Sequence, residues 1–321
     1  MSTRKILILG AGYTGKELAH QARQSGYDVV GTSRDPATRA FLERLGAQAV
    51  DWSVDDDCQA WATHLGPSTT VVYSIPTLFR RYDASNDGLA RHIIPVDHVL
   101  GQCRRRGIER FIYLSSSSVY GDHGGEWIDE STPCHPSSPY GRMRHDIERH
   151  LLQRDMAFPI HIARLVGIYG PGRTLVEYIK SGRYRLVDGG KKITNRIHVH
   201  DIARALLAII EKARDEHQIF NLTDGHPQAV RDLVEYVCDH TGLTKPPVET
   251  LEEYAARKND PNAVARWKKQ VRVRNDRLRR ELDFELIYPD VFAGYKAILE
   301  ASSGPRPTEI KNPSNSAPGH G

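Results

Sequence analysis

Tyr140 and Arg144 are four residues apart at the start of a predicted helix, so their side chains share one helix face. A cation beside a phenol favours the phenolate, which is the form that accepts a proton. Four serines, Ser115 to Ser118, follow an apolar segment at 110–114 that is typical of a buried strand. One of these hydroxyls could hold a substrate oxygen opposite the tyrosine. Two plainer interpretations stay open: Tyr140 as a half-buried packing aromatic, and the serine run as a loop that cradles phosphate.

A second group of residues, Gly10, Gly12 and Gly15, forms a GxGxxG run between an apolar segment at 5–9 and a run of helix formers. Strand, glycines and helix in that order are typical of the opening of a dinucleotide-binding fold. The first glycine permits a tight turn, the second lets the backbone approach a pyrophosphate, and the third lets helix and strand pack closely. The alternative is a glycine-rich turn that binds no ligand.

The end of the second predicted strand, near 27–32, indicates which dinucleotide is bound. Proteins that bind NAD usually carry Asp or Glu there, because a carboxylate holds the ribose 2′-OH. In this chain Ser33 and Arg34 follow the strand, and a hydroxyl with a guanidinium suits a 2′-phosphate. Asp35 comes directly before Pro36 and is predicted to start the next helix. The sequence therefore favours NADP(H) over NAD(H), unless Arg34 is only a solvated loop residue.

Strands and helices alternate through the first half of the chain, which is the pattern of a parallel sheet with crossover helices. The predicted strands lie near 5–9, 27–32, 47–51, 69–74, 110–114 and 159–164. The predicted helices lie near 13–25, 36–45, 55–65, 88–106 and 140–154. Several strands end in small or polar residues such as Ser74, and in open α/β sheets ligands bind at these carboxyl ends. The predicted fold class is α/β, a Rossmann-type doubly wound parallel sheet.

Beyond Arg164 the pattern becomes mixed and predicts a smaller C-terminal substrate-binding region. Asp201 is predicted as the N-cap of a helix, and a short strand near 219–222 comes after it. Further helical segments lie near 228–240, 249–257, 275–282 and 290–300. We expect an NADP-binding Rossmann domain over 1–170 and a substrate-binding region over 171–300, of which 196–224 returns to the sheet. A disordered tail over 302–321, rich in Pro, Ser, Gly and Asn, is expected to follow.

Composition and charge narrow the class of protein. The 321 residues can bury a sizeable core, and a formal net charge of +4 is small for that length, so nucleic acid is not the expected partner. The four cysteines have no CxxC spacing and no clustered histidines, which argues against disulfides and against a metal site. No apolar stretch approaches the length of a membrane span, and Met1 is followed almost directly by the first strand. We therefore expect a cytoplasmic protein that does not bind membranes.

Several segments, in order, resemble the extended or atypical short-chain dehydrogenases/reductases of the NAD(P)-dependent epimerase/dehydratase type. They are the glycine run, Leu114–Gly121, the Tyr140xxxArg144 pair, Ala163–Gly172 with its YGPG turn, and Arg196–Ala203 with its HVxDxA pattern. The resemblance spans about Lys5 to Leu299. Within the family, the short glycine loop and the sequence Arg196-Ile197-His198 are similar to those of the YeeZ-like group.

The resemblance implies a role for each matching residue. Tyr140 would be the catalytic acid/base, and Arg144 would replace the catalytic lysine of the family. Ser116 would be the catalytic serine, with Ser117 as the fallback and as a substrate contact. Cofactor binding is implied for Gly10, Gly12, Tyr13, Thr14, Gly15, Ser33, Arg34, Asp51 and Ser74. Asp51 is similar to the adenine-contacting Asp of the family, and the turn from Tyr169 to Gly172 would flank nicotinamide and substrate.

Three departures from the family pattern bear on activity. The glycine loop is shorter than the usual GxxGxxG, Arg144 stands where the family has lysine, and the family asparagine of the fourth helix is missing near His92. Arginine keeps the positive charge, but its planar fork is wider than an ammonium. We expect an enzyme that transfers hydride at a carbinol or carbonyl carbon, with reduction, epimerisation and dehydration all open. The alternative is an NADP-binding sensor or regulatory protein with little or no catalysis.

Cations in the segment expected to face the crevice favour a substrate with a phosphate or carboxylate, such as a sugar nucleotide. They are Arg164, Arg173, Lys191, Lys192 and Arg196, each of which could equally be a solvated loop charge. Relatives in the family pair through the helix near 88–106 and the helix after Tyr140. A homodimer could use the apolar positions of the first of these helices, or these positions pack on the sheet; they are Leu89, Ile93, Val96, Leu100 and Cys103.

Overall fold

The structure is a computed structural model, and it describes residues 4–76, 88–259 and 263–303, without the side chains of 88–91, 265, 266, 302 and 303. The strands are β1 Lys5–Leu9, β2 Asp28–Thr32, β3 Gln48–Val50, β4 Thr69–Tyr73, β5 Arg110–Ser116, β6 Trp127–Ile128, β7 Ile160–Leu165, β8 Gly167–Tyr169, β9 Leu186–Val187, β10 Ile193–Thr194, β11 Arg196–His198, β12 Gln218–Leu222, β13 Gln228–Ala229, β14 Val248–Glu249 and β15 Arg272–Val273. The helices are α1 Tyr13–Gln24, α2 Pro36–Arg44, α3 Gln59–Ala62, α4 Gly88–Arg106, α5 Pro139–Leu152, α6 Leu175–Lys180, α7 Val199–Lys212, α8 Val230–Thr241, α9 Leu251–Lys258, α10 Ala263–Lys268, α11 Asp276–Leu282 and α12 Val291–Ser303.

Seven parallel strands form the central sheet in the order β12-β7-β5-β4-β1-β2-β3. Side chains alternate between the two faces of a strand, and both faces of this sheet are covered. In β1, Ile6 and Ile8 pack into a core with residues of α1 and α7. Leu7 and Leu9 pack into a second core with residues of α4 and α5. The predicted α/β doubly wound fold is confirmed.

The first turns of two helices are held by side chains that accept hydrogen bonds from backbone N–H groups. Asp35 caps α2 as predicted, because its carboxylate accepts from Ala37 N–H at 3.2 Å and from Thr38 N–H at 3.1 Å. Ser138 caps α5 through a bond from Gly141 N–H at 3.1 Å. The helix that carries Tyr140 therefore begins at a fixed point, directly after Ser138.

The predicted N-cap of α7 is wrong. His198 occupies that position, and its Nδ1 accepts from His200 N–H at 3.2 Å, because β11 runs into α7 without a loop. Asp201 lies in the first turn of the helix instead. Its buried carboxylate accepts from the backbone N–H groups of Ile287 at 2.8 Å and Tyr288 at 3.0 Å. Asp201 thus ties α7 to the segment before α12.

The region after β7 has a small core of its own, formed by side chains from α8, α12 and the end of β8, with Tyr169, Leu233 and Tyr295 among them. Two-stranded ladders join distant segments there: β8 pairs with β11, β9 with β14, and β10 with β13. A fourth ladder, β6 with β15, connects the segment after β5 to the C-terminal region. Across the described residues, no helix is both long enough and apolar enough to cross a membrane.

Several predicted bounds need correction. The helix predicted near 55–65 is only Gln59–Ala62, because Asp56 and Asp57 accept hydrogen bonds from nearby backbone N–H groups and favour turns. The short helices α6 and α10 were not predicted. Helix α12 continues through Ser303, past the predicted start of the disordered tail, and residues 304–321 of that tail lie outside the described residues.

Candidate active site

The glycine turn lies between the carboxyl end of β1 and the first turn of α1. Gly10 has φ +88°, and a Cβ there would come within 2.9 Å of the Ile75 side chain, so the turn requires glycine. A Cβ on Gly15 would lie 3.1 Å from the Gly10 carbonyl oxygen, so helix and strand pack closely there. At Gly12 the space is open, since no described atom lies within 4 Å of a Cβ at that position. This opening at the helix N-terminus, which starts at Tyr13 and Thr14, fits a pyrophosphate.

Backbone hydrogen bonds fix the glycine turn to its neighbouring strands. Gly10 N–H donates to Thr32 Oγ1 at 2.9 Å, and Ala11 N–H donates to the Thr32 carbonyl at 2.8 Å. Ser74 N–H donates to the Leu9 carbonyl at 2.8 Å. The ends of β1, β2 and β4 therefore meet at one edge of the sheet, as expected for parallel strands.

Two cations lie near the loop after β2, Arg34 in the loop itself and Arg39 on α2. Arg34 is exposed, and Arg39 Nη1 donates to the carbonyl oxygens of Ser33 at 3.0 Å and Arg34 at 2.9 Å. Arg39 also lies 3.2 Å from the Asp51 carboxylate. Sequence reasoning missed Arg39, although its place in the first turns of α2, four residues after Asp35, is a usable signal. Asp35 is occupied with capping α2 and points its carboxylate at that helix.

Tyr140, Arg144 and the serine run meet at the carboxyl end of β5. Arg144 Nη1 donates to the Leu114 carbonyl at 2.8 Å, and the guanidinium carbon lies 5.7 Å from the centre of the Tyr140 ring. A Cβ on Gly141 would lie 2.5 Å from the Ser118 carbonyl oxygen, so α5 packs directly on the serine run. The cation thus contacts the ring of Tyr140, and 38% of this tyrosine is exposed. Its side chain is therefore accessible from solvent.

The serine run carries hydroxyls in two different situations. Ser116 Oγ accepts from Ser118 N–H at 3.2 Å and caps a short 3-10 turn over Ser117–Val119. The buried atoms Ser115 Oγ, Ser118 Oγ and Arg144 Nε have no hydrogen-bond partner among the described residues. Buried polar groups are nearly always hydrogen-bonded in folded proteins. These three atoms therefore have a hydrogen-bonding capacity that no described residue uses.

Arg164, which was expected to face the crevice, points into the protein instead. Its Nη2 donates to the Glu148 carboxylate at 2.7 Å, its Nε donates to the same carboxylate, and the two side chains are 5% and 1% exposed. The guanidinium carbon lies 4.7 Å from the centre of the Tyr120 ring. Tyr120 in turn donates its hydroxyl to Asn221 Oδ1 at 2.7 Å. Arg164 therefore belongs to the core beneath α5.

Tyr169 also lies deeper than predicted. It is 1% exposed, its ring meets the edge of His198 at 5.2 Å between centroids, and its hydroxyl donates to the Asp290 carbonyl at 3.3 Å. Burial raises the pKa of Tyr169 well above the ordinary value for tyrosine. This position argues against the predicted contact between the Tyr169 side chain and a substrate. The following residues of the turn, Gly170 to Arg173, reach the glycine turn instead.

Arg196 is half-buried, and its Nε has no partner among the described residues. Asp224, whose N–H donates to the Arg196 carbonyl at 2.9 Å, lies beside it. Burial raises the pKa of Asp224 to about 7, and its Oδ2 has no partner among the described residues either. Sequence reasoning missed Asp224, although an acidic residue two positions after the end of a buried strand is a usable signal. The remaining cations differ: Lys191 pairs with Asp188 at 3.3 Å, and Lys192 lies 5.1 Å from the Trp267 ring centre.

Helix α4 packs its apolar face on the sheet. Val96, Leu100 and Cys103 are buried there, Ile93 is half-buried, and the side chain of Leu89 lies outside the described residues. These positions were considered either for a dimer contact or for packing on the sheet. The structure shows that Val96, Leu100 and Cys103 pack on the sheet. His92, at the place of the family asparagine, is buried with Nε2 3.7 Å from the Asp146 carboxylate.

Comparison with known proteins places this geometry in context. Residues 6–223 match the model of the NAD dependent epimerase/dehydratase family. The chain is 27% identical over 297 residues to Protein YeeZ of Escherichia coli (strain K12), covering 89% of this chain and 97% of that protein. A conserved protein of unknown function from Silicibacter pomeroyi DSS has a similar structure, with a TM-score of 0.76, 29% identity and coverage of 93% and 99% of the two chains. MoeE5 in complex with UDP-glucuronic acid and NAD shares the fold with a TM-score of 0.74, 22% identity and coverage of 93% and 98%.

Proposed function

The chain belongs to the NAD dependent epimerase/dehydratase family, and from that premise we propose that it is an NADP(H)-dependent oxidoreductase or epimerase. It would act at a carbinol or carbonyl carbon of a small substrate. The observation that carries this proposal is the meeting of Tyr140, Arg144 and the serine run at the carboxyl end of β5. Strands β1, β4 and β5 are parallel neighbours, so the glycine turn lies at the same edge of the sheet. A dinucleotide on that turn extends along this edge toward Tyr140.

The cofactor preference rests on the loop after β2. Arg34, with the Ser33 hydroxyl, would hold the 2′-phosphate. Arg39 on α2, paired with Asp51, would fix the loop through its bonds to the Ser33 and Arg34 carbonyl oxygens. Asp35 is the acid that could compete for a ribose 2′-OH, but its carboxylate accepts two backbone bonds from α2. Gly12 with the first turn of α1 would hold the pyrophosphate, while Asp51 and Ser74 would line the path of the cofactor.

In this proposal Tyr140 carries out the proton transfer. When bound, the nicotinamide supplies the hydride exchange, and the protein supplies orientation and charge. The Tyr140 hydroxyl would give a proton to the substrate oxygen or take one from it. Ser116 accepts a bond from Ser118 N–H, so its own O–H remains to donate to that oxygen, with Ser117 as the neighbouring candidate. Arg144 would orient the tyrosine ring and offer its unused Nε to a ligand hydroxyl.

The proposed substrate carries an anionic group that Arg196 recognises, because the Nε of this half-buried arginine has no partner among the described residues. A sugar nucleotide or another phosphorylated compound fits, and MoeE5, which shares the fold, was captured with UDP-glucuronic acid. In this proposal residues 1–170 bind the cofactor and 171–300 bind the substrate, with 196–224 returning to the sheet. We also propose that two copies of the chain form a homodimer.

A second candidate function is an NADP-binding sensor without turnover. The observations that favour it are the arginine at position 144, where the family has lysine, and the buried His92 at the place of the family asparagine. Arginine keeps the positive charge of the lysine, but its planar guanidinium is wider than an ammonium and donates here to the Leu114 carbonyl.

Calorimetric titration with NADPH and NADH, together with turnover assays, tests both candidates. Reduction of a panel of carbonyl compounds is followed at 340 nm. Epimerisation and dehydration of sugar nucleotides are followed by chromatography of the products, because these reactions regenerate the cofactor and leave the absorbance unchanged. The enzyme proposal expects NADPH to bind more tightly and turnover to occur. Tyr140→Phe should lower turnover by about 10²–10⁴-fold while the cofactor still binds, since general acid–base catalysis contributes that much. Tight binding without turnover would favour the sensor. Binding of neither nucleotide would overturn both.

A further inference from the structure

Tyr13 connects the glycine turn to the turn formed by Gly170, Pro171, Gly172 and Arg173. It is the first residue of α1, and its hydroxyl donates to the Pro171 carbonyl at 3.0 Å. The guanidinium carbon of Arg173 lies 5.5 Å from the centre of the Tyr13 ring. We call this pair the Tyr13–Arg173 clasp. It reaches from the N-terminus of α1 to the segment that follows β8.

The backbone around the clasp is built for this contact. Arg173 N–H donates to the Gly170 carbonyl at 2.9 Å, and Gly170 N–H donates back to the Arg173 carbonyl at 3.3 Å. A Cβ on Gly170 would lie 2.6 Å from the Tyr13 hydroxyl oxygen and 2.7 Å from Val199 Cγ1. The turn can therefore rest on Tyr13 only because residue 170 is glycine. Arg173 is delivered to the Tyr13 ring by a tight, closed turn.

No described residue neutralises the charge of Arg173. Among the described residues, it forms no ion pair or side-chain hydrogen bond with an acidic group, and it is exposed. The acid nearest along α1 is Glu17, which instead lies 3.1 Å from His200 Nε2 and accepts from Gln21 Nε2 at 2.7 Å. A guanidinium is thus held on an aromatic ring beside the glycine turn, with no counter-ion in the part of the chain that the structure describes. The first N–H groups of α1 add positive potential at the same place.

We propose that Arg173 is a ligand of the cofactor pyrophosphate, carried to it by the stack on Tyr13. The inference rests on the proposed function, because it requires a dinucleotide on the glycine turn. Arginine suits the role, since its planar fork binds phosphate oxygens in pairs and also stacks on aromatic faces. The bound pyrophosphate would supply the negative charge that the clasp lacks. Cofactor binding would then also fasten the turn after β8 over the glycine turn.

The test compares two ligands that share adenosine and differ in their phosphates. ADP-ribose carries the pyrophosphate and no 2′-phosphate, whereas 2′-AMP carries the 2′-phosphate and no pyrophosphate. By calorimetry on the full chain, Arg173→Ala should weaken ADP-ribose and NADPH binding about tenfold, the loss of one charge-assisted hydrogen bond. Binding of 2′-AMP should change by less than about twofold. Arg34→Asp serves as the matched variant. It should weaken the binding of 2′-AMP and NADPH and should not weaken the binding of ADP-ribose.

Two further variants separate the charge from the stack. Tyr13→Leu removes the ring and should weaken ADP-ribose binding in the same direction, with little further loss in the Tyr13→Leu/Arg173→Ala double variant, since both act on one contact. Arg173→Lys keeps the charge without the planar fork and should fall between the wild type and Arg173→Ala. Arg183→Ala, at an exposed arginine beyond α6, should bind as the wild type does.

The outcomes distinguish the inference from the function on which it rests. Wild-type binding of ADP-ribose with unchanged affinity in Arg173→Ala would overturn the role of Arg173 alone. Equal losses for ADP-ribose and 2′-AMP would also overturn it, because they would indicate a general effect of charge on the crevice. If the wild-type chain binds neither ADP-ribose nor NADPH, the proposed function fails and the pyrophosphate role fails with it.

Discussion

The Arg164–Tyr120 pair beneath α5 and the Arg144–Tyr140 pair at the crevice consist of the same two residue types and differ in what else they contact. The buried guanidinium lies 4.7 Å from its ring centre and makes bonds from Nε and Nη2 to the Glu148 carboxylate. The guanidinium at the crevice lies 5.7 Å from its ring centre and donates one bond, to a main-chain carbonyl. Each guanidinium leaves one buried nitrogen without a partner among the described residues, Nε in Arg144 and Nη1 in Arg164, so the carboxylate counter-charge is what distinguishes the two pairs.

This difference shows that the partners, and not the residue types, identify the site. A buried charge that has its counter-charge fixes the fold, and removing the counter-charge is costly. A more exposed charge that has no carboxylate partner among the described residues is available to a ligand instead. By this reasoning Arg164 and Tyr120 stabilise the fold, whereas Arg144 and Tyr140 are the pair that we propose acts on ligands. Each of the following substitutions should separate stability from ligand binding or turnover.

The largest effect on stability is expected from Glu148→Ala. The substitution leaves the Arg164 charge buried without its partner, which should lower the free energy of unfolding by about 3–5 kcal/mol. Urea denaturation measures this loss. The double variant Glu148→Leu/Arg164→Met removes both charges and should recover most of it. A loss below about 1 kcal/mol in the single variant would break the comparison, because the buried pair would then not stabilise the fold.

Arg34→Asp should have a large effect on ligand preference and almost none on stability. The substituted carboxylate would repel a 2′-phosphate and accept a bond from a ribose 2′-OH, so the ratio of NADPH to NADH affinity should fall by about ten- to a hundredfold. Because Arg34 is exposed, unfolding by urea should change by less than about 0.5 kcal/mol. An unchanged affinity ratio would remove Arg34 from the 2′-phosphate site.

A smaller effect is expected when each tyrosine loses its hydroxyl. Tyr120→Phe removes the buried donor to Asn221 Oδ1 and should lower stability by about 1–2 kcal/mol. Tyr140→Phe should change stability by less than about 0.5 kcal/mol, because that side chain is 38% exposed. Urea denaturation of both variants measures the difference. Equal losses in the two variants would contradict the assignment of Tyr120 to the core and Tyr140 to the crevice.

Much of the fold was predictable because its signals are local. The strand predicted at 5–9 is β1, and Asp35 caps α2 as expected, since buried apolar runs and Asp-Pro starts are read within a few residues. The cap of α7 was not predictable in this way. Asp201 is a better local cap than a histidine, but its carboxylate binds the N–H groups of Ile287 and Tyr288, far along the chain. Contacts of that kind have no local signature.

The candidate site was predicted in the same uneven way. The structure brings Tyr140, Arg144 and the serine run together, because helix spacing and a strand end determine where they lie. Arg164 was expected at the crevice because the sequence shows its charge but does not show that Glu148 is its partner. Glu148 lies four residues after Arg144, a spacing that favours a pair between those two, yet it pairs with Arg164 on β7. Only the packing of α5 on the sheet decides between these partners.

The same substitution can be made in both arginine pairs, and it gives the smallest and most discriminating effect. Arg144→Lys keeps a cation at the crevice that can still donate to the Leu114 carbonyl, so stability should fall by less than about 1 kcal/mol. Turnover at 340 nm should stay within about tenfold of the wild type, because the charge beside Tyr140 is retained. Arg164→Lys loses the buried bidentate hydrogen bond from Nε and Nη2 to Glu148. It should therefore lower the free energy of unfolding more than Arg144→Lys does. A loss of turnover in Arg144→Lys as large as in Tyr140→Phe would instead mean that the crevice is organised around the guanidinium itself, and that both pairs need their arginine for its shape.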